Sequence, residues 1–264
     1  MLKKILYGDI PFFFLTLVKS SSPNLKYYKY IKEHGYARHL YLFANEYLNK
    51  NIEVYKDKER GLYYVLFEGK RLYFRKDFSK EKIIKLYCSL LMEQDIRSPH
   101  HYIDSVNEIS NELFVDIGCA EGILSLSLIN RVNHVYLFEC DELWVEALKA
   151  TFEPWRDRVT IIRKYVSNVD RNDEMTLDHF FKEKYHQSLF LKMDVEGYER
   201  KVLDGCKALF KNNSKVDFAI CTYHLSDDEK IISGFLDRNN CKYVNRRGFF
   251  RHKLRSVVIR GCNY

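Results

Sequence analysis

The sequence predicts an α/β protein built on an open, mostly parallel sheet with helices on both faces. Three observations carry that expectation. From about residue 112, short apolar runs alternate with longer amphipathic segments, the pattern of strands joined by crossover helices. The first run, Leu113 to Ile117, leads into a glycine turn, Gly118 to Gly122, and then into a second apolar-rich stretch. Charged or polar residues, Asp116, Glu139, Asp194 and His224, recur at or just past the ends of successive runs. In a parallel sheet such residues collect on one rim, beyond the carboxyl ends of the strands, where open α/β sheets bind ligands.

Length and composition set the bounds. The chain of 264 residues has room for one large domain plus an N-terminal extension, expected at 1–100 and 101–264. A hydrophobic fraction of 46% with 30% charged residues excludes disordered and collagen-like classes. The net charge of +7 suits an anionic partner as well as ordinary solubility. Seven scattered cysteines, without a C-x-x-C pair, argue for buried thiols in a reducing compartment and a cytoplasmic location, not for zinc or disulfides. The apolar segment Ile10 to Val18 is too short to span a bilayer. It is expected to pack on the core or to make peripheral contact with a membrane.

In the extension, Tyr27, Tyr30, Ile31, Leu40, Phe43, Ala44 and Tyr47 recur at mixed helical spacing, with Gly35 as the break between two helices. Residues 62–67 and 70–74 flank Gly69 as a tight hairpin. Ser79 starts an amphipathic helix whose stripe is Ile83, Ile84, Leu86, Tyr87, Leu90 and Leu91. The polar segment from Glu93 to Tyr102 follows, placed either to fold over the ligand mouth or to act as a plain loop.

In the second region, Ile123 to Ile129 is long enough for three helical turns, and Val135 to Phe138 is a strand ending in Glu139. Trp144 to Phe152 reads as a helix and Arg158 to Arg163 as a third strand. Thr176 caps a short helix, Leu189 to Met193 is a fourth strand, and Val202 to Leu209 continues as one amphipathic helix. Val216 to Cys221 is a fifth strand, Ser226 to Glu229 a capping box, and 242–245 with 254–260 a terminal hairpin that supplies an antiparallel strand.

The glycine turn fails the dinucleotide pattern G-x-G-x-x-G, because its middle position is Ala120. Asp116 would also repel a pyrophosphate, whereas it would attract a ligand carrying an ammonium group. Glu139 lies 23 residues past Asp116, about the spacing at which such units place an acid on ribose hydroxyls. The turn, Asp116-Ile-Gly-Cys-Ala-Glu-Gly122, resembles the first motif of class I methyltransferases, which bind S-adenosylmethionine. Residues 112–260, above all DIGCAEG, FEC at 138–140, TLDHF at 176–180 and LKMDVEGYE at 191–199, resemble the FkbM family of S-adenosylmethionine-dependent methyltransferases. Many members carry Asn within the loop, near where this chain has Glu121.

The resemblance implies a Rossmann-like sheet and an O-methyltransferase acting on a sugar hydroxyl of a surface glycan or glycolipid, or on a secondary metabolite. It implies that Asp116, Gly118, Cys119, Ala120, Glu121, Gly122, Glu139 and Asp194 line the cofactor site. The fourth-strand motif of enzymes that methylate nucleobase amines is absent, so no nucleic-acid partner is expected. Methylating an alcohol calls for a base, and His224, Asp194 and Glu196 are the catalytic candidates. The same three side chains could hold a divalent cation; oxygen ligands would suit magnesium or calcium. The competing reading is a non-catalytic binding module or scaffold.

Overall fold

The structure, a computed structural model, describes residues 24–35, 40–183, 187–212, 215–250 and 253–264, with residues 10 and 13. The apolar segment at 10–18 lies outside these, apart from the exposed Ile10 and Phe13. The extension comprises α1 (Leu25–His34), the single turn α2 (Asn45–Leu48), strands β1 (Tyr55–Asp57), β2 (Leu62–Phe67) and β3 (Lys70–Tyr73), and α3 (Lys80–Glu93). The expected hairpin forms about Glu68 and Gly69, both with positive φ, as a tight two-residue turn requires. β1 adds a third strand that the sequence did not announce. Ser79 caps α3 by accepting from the Lys82 amide at 3.2 Å.

The remainder runs β4 (Leu113–Ile117), α4 (Ile123–Leu128), β5 (His134–Phe138), α5 (Glu142–Phe152), β6 (Val159–Ile162), the short pair β7 (Tyr165–Val166) and β8 (Glu174–Met175), and α6 (Leu177–Phe181). It closes with β9 (Leu189–Met193), α7 (Glu199–Asp204), α8 (Lys207–Asn212), β10 (Val216–Cys221), α9 (Asp228–Arg238), β11 (Lys242–Phe250) and β12 (Lys253–Cys262). The main sheet has the order β11-β12-β10-β9-β4-β5-β6. Its strands are parallel except β12, which lies antiparallel between β10 and β11. This is the mostly parallel, Rossmann-like sheet with an antiparallel strand from the terminal hairpin, as expected.

Strand periodicity distributes the core between the two faces. Leu113, Val115 and Ile117 of β4 join one apolar cluster with Leu189, Leu191 and Phe218. Phe114 points the other way, into a cluster with Val135, Leu137, Leu126 and Leu148. That second cluster also takes in Val65, Leu72, Phe74, Ile83 and Tyr87, so the extension's hairpin and helix share a core with the sheet. Phe114 is fully buried there, and truncating it to Ala would cost about 3–5 kcal/mol. Tyr27 stacks on Phe249 of β11 with ring centroids 5.0 Å apart, which anchors α1. Among the described residues, no helix is long and apolar enough to cross a membrane.

Three local expectations need correction. α4 is shorter than three turns, ending at Leu128. The helix expected across Val202 to Leu209 is two, because the chain bends at Gly205; a Cβ there would lie 2.0 Å from the Ser167 carbonyl oxygen. The capping box at Ser226 does not form: Asp227 holds the cap position without a side-chain bond, and Asp228 instead accepts from the Leu225 amide at 2.6 Å. Arg200 pairs with both aspartates.

Candidate active site

The glycine loop leaves β4 through a left-handed backbone, with positive φ at Gly118, Ala120 and Gly122, which the two glycines adopt freely and Ala120 only at a cost. Gly118 has no room for a side chain: its Cβ would lie 2.0 Å from the backbone oxygen of Asp194. The loop after β4 and the turn after β9 are therefore in backbone contact. Cys119, between the first two of these positions, is buried, and burial pushes its thiol well up. Glu139, at the end of β5, reaches across to the loop. Its carboxylate accepts from the Ala120 amide at 3.0 Å and from the Asp141 amide at 2.9 Å.

Asp116 is buried beneath the loop and its charge is already matched. Lys192 Nζ lies 2.9 Å from Oδ1, and the Ser125 hydroxyl donates to Oδ2 at 2.6 Å. Lys192 also donates to the Gly118 carbonyl at 2.7 Å. Burial opposes the lysine's charge, but Asp116 and Asp194 more than offset it and hold its pKa above the ordinary range. Sequence reasoning missed Lys192, although Asp116 and Lys192 are register partners on adjacent strands.

Asp194 sits at the middle of the rim. Tyr102 donates to its Oδ2 at 2.9 Å, and the Tyr223 hydroxyl lies 3.4 Å from both oxygens. The segment from Glu93 to Tyr102 thus folds over the strand ends. Tyr102 is buried, and the His100 ring stands edge-on to Tyr223 with centroids 4.9 Å apart. Two further carboxyls face this centre. Glu93 keeps some surface, yet burial and then Asp194 and Glu121 push it up to about 8. Burial pushes Glu121 up to about 7, against the opposing pull of backbone amides and Lys192.

His224, just past β10, is tucked beneath Asp194. Its Nδ1 lies 2.8 Å from Glu199 Oε1; its Nε2 lies 3.5 Å from Asp194 Oδ1 and 3.4 Å from Glu196 Oε2. Burial lowers its pKa, but Glu199 and then Asp194 outweigh that and raise it overall. Glu199 is fully buried and also accepts from the Val195 amide at 3.0 Å. Glu196 is 85% exposed and has a left-handed backbone, φ 52°. The sequence drew attention to Glu196, but Glu199 holds the imidazole. Chemically, the rim offers a carboxylate held by two phenols, with a buried imidazole–carboxylate pair beneath it.

Part of the chain is similar to known proteins. Residues 142–246, which contain Asp194, Glu196, Glu199 and His224, match the family model described as the methyltransferase FkbM domain, in line with the resemblance read from the sequence. A solved methyltransferase FkbM from Methylobacillus flagellatus KT is similar at 17% identity and TM-score 0.49, over 66% of this chain and 54% of that one. A precorrin-6y C5,15-methyltransferase from Geobacter metallireducens GS-15 is similar at 10% identity and TM-score 0.40, over 75% and 95%. So is an rRNA methylase from Streptococcus thermophilus, at 10% identity and TM-score 0.40, over 60% and 89%. This chain therefore spans about half the length of the first of these, 54%. No curated protein matches.

Proposed function

Starting from the methyltransferase FkbM domain that residues 142–246 match, we propose that this chain transfers a methyl group from S-adenosylmethionine to a hydroxyl oxygen. The acceptor class we assign is a sugar of a glycan or glycolipid, on the family resemblance and the net charge of +7, and the compartment is a reducing one such as the cytoplasm. The observation that carries the reading is the backbone contact between Gly118 and Asp194, which joins the ligand loop to the acidic centre. A ligand held on the loop has its far end beside Asp194.

The residues present fit such a cofactor. The loop is turned by three left-handed residues, and each Glu139 oxygen accepts one backbone amide, which leaves further lone pairs for ribose hydroxyls. When bound, S-adenosylmethionine supplies an electrophilic methyl on a sulfonium. Asp116, matched by Lys192, shapes the loop from below instead of meeting the ligand's ammonium group with a free charge. Asp194 is the accessible acceptor for the proton of the hydroxyl, and Tyr102 and Tyr223 fix its orientation. His224 Nε2 is closed off from solvent, so the imidazole acts from beneath by stabilising the centre's charge, held in turn by Glu199. The two carboxyls pushed upward, Glu93 and Glu121, keep negative charge from accumulating around Asp194.

Calorimetry with S-adenosylhomocysteine tests the cofactor, and labelled S-adenosylmethionine with fractionated glycans and lipids tests the acceptor. Glu139→Ala should weaken cofactor binding at least tenfold, and Asp194→Asn should lower turnover about a hundredfold or more while binding survives. Binding of NAD in place of S-adenosylhomocysteine would sink the proposal; methyl groups appearing on nitrogen or nucleic acid would defeat the acceptor assignment.

A further inference from the structure

We infer that Asp194, Glu196 and His224 form a binding site for a divalent transition-metal cation, with Glu199 orienting the imidazole from beneath. One donor atom each from Asp194, Glu199 and His224 lie within 4.8 Å of one another. Glu199 Oε1 sits 2.8 Å from His224 Nδ1, and a carboxylate can only accept, so the proton belongs on Nδ1. That tautomer leaves a lone pair on Nε2. Nε2 is buried, makes no hydrogen bond, and faces carboxylate oxygens of Asp194 at 3.5 Å and Glu196 at 3.4 Å.

In the neutral imidazole Nε2 is an electron-rich donor facing two carboxylates; a cation standing there in place of a proton would be ligated by all three. Both carboxylate-to-Nε2 distances suit it. Ligands bonded to one ion at about 2.0–2.2 Å lie roughly 3.0–3.6 Å apart when adjacent. A carboxylate behind the non-ligating nitrogen is also the usual device for fixing a metal-bound imidazole, and Glu199 occupies that place while its Oε2 is buried without a hydrogen-bond partner. Glu196, with its left-handed backbone, turns its exposed carboxylate back toward Nε2 and closes the outer side.

One imidazole with two carboxylates suits a borderline ion such as Mn²⁺ or Zn²⁺ better than the all-oxygen preference of magnesium or calcium. Binding of the ion is independent of the proposed activity; its role rests on that reading. Bound beside Asp194, the cation would take the acceptor oxygen on its open side and make the hydroxyl proton easier to lose.

The test titrates the metal-free full chain with Mn²⁺, without cofactor, following the paramagnetic resonance of the free ion. One ion should bind per chain. Glu196→Gln, at an exposed position, should weaken binding at least tenfold, Asp194→Asn likewise, and His224→Gln should abolish it. Glu199→Gln should weaken it about 10–100-fold with S-adenosylhomocysteine affinity unchanged, as expected of a positioning residue. A chain that binds S-adenosylhomocysteine but no Mn²⁺, or binds it equally after Glu196→Gln and Asp194→Asn, overturns the site and leaves the methyltransferase proposal standing. Stoichiometric binding lost in these variants upholds the site even if no methylation is found.

Discussion

Lys192 Nζ lies 2.9 Å from Asp116 Oδ1, an ion pair between adjacent strands with both side chains withdrawn from solvent. The pair explains how an aspartate can lie in a core strand beneath the glycine loop. Removing one partner leaves the other charge buried and uncompensated, which costs about 3–5 kcal/mol. Lys192→Met should therefore lower stability by that amount in urea unfolding. Adding Asp116→Asn to it should recover part of the loss, since the orphaned charge is then gone. Equal stability of wild type and Lys192→Met would show that the pair contributes nothing net.

Stability should fall as pH rises from 5 to 8.5. Glu93 and Glu121 are pushed up from 4.5 to about 8 and about 7, chiefly by burial. Glu93 faces Asp194, Glu121 and Lys192; Glu121 faces Lys192 and Asp116. Each binds its proton more tightly when folded, so its contribution is complete below about 4.5 and is lost as pH climbs through the folded values. The slope is at most about 1.4 kcal/mol per pH unit per group. Melting temperatures across that range should decline, and Glu93→Gln or Glu121→Gln should flatten the decline. An unchanged slope in both variants would contradict the assignment.

Much of this architecture could be read in the chain because parallel strands buried on both faces leave continuous apolar runs. Leu189–Met193 and Val216–Cys221 have the same limits in the structure as in the sequence, and every residue of β9 is buried. Lys192 was hidden within such a run. A lysine there looks like a strand's solvent-facing residue until the register sets it beside Asp116. Glu199 was hidden by backbone geometry. The turn after β9 is left-handed at Glu196 and Gly197, so the acid two residues past Asp194 stays on the exposed side of His224, near Nε2, and the acid five residues past it comes beneath, at Nδ1. Tyr102 and Tyr223 meet at Asp194 from positions 121 apart in sequence, and no local pattern reports such a meeting.

Tyr102→Phe isolates one hydroxyl. Its donation to Asp194 at 2.9 Å is a hydrogen bond to a carboxylate, worth about 1.5–3 kcal/mol, while the ring stays buried in place. If Asp194 must be held to receive the acceptor's proton, kcat should fall about 10–100-fold with S-adenosylhomocysteine affinity unchanged. Tyr223→Phe, with contacts of 3.4 Å, should do less. Steady-state kinetics beside calorimetry separates these outcomes, and an equal loss of cofactor affinity in Tyr102→Phe would make the hydroxyl structural.

The two outer glycines of the loop should respond differently to Ala, although both have φ above 70° and so carry the same left-handed penalty of about 1–3 kcal/mol. At Gly122 the new Cβ would meet Leu148 Cδ2 and Phe152 Cε2 at 3.0 Å, side-chain atoms that can yield by a few tenths of an ångström. At Gly118 it would meet the backbone oxygen of Asp194 at 2.0 Å, which cannot yield unless the turn after β9 moves. Gly122→Ala should thus lose stability within the left-handed penalty and keep much of its cofactor affinity. Gly118→Ala should lose more stability, at least tenfold in S-adenosylhomocysteine affinity, and turnover beyond what the affinity explains, because the displaced residue is Asp194 itself. Thermal melting, calorimetry and turnover on the two variants decide it. If Gly118→Ala binds and turns over like Gly122→Ala, the loop and the acidic centre are not mechanically joined.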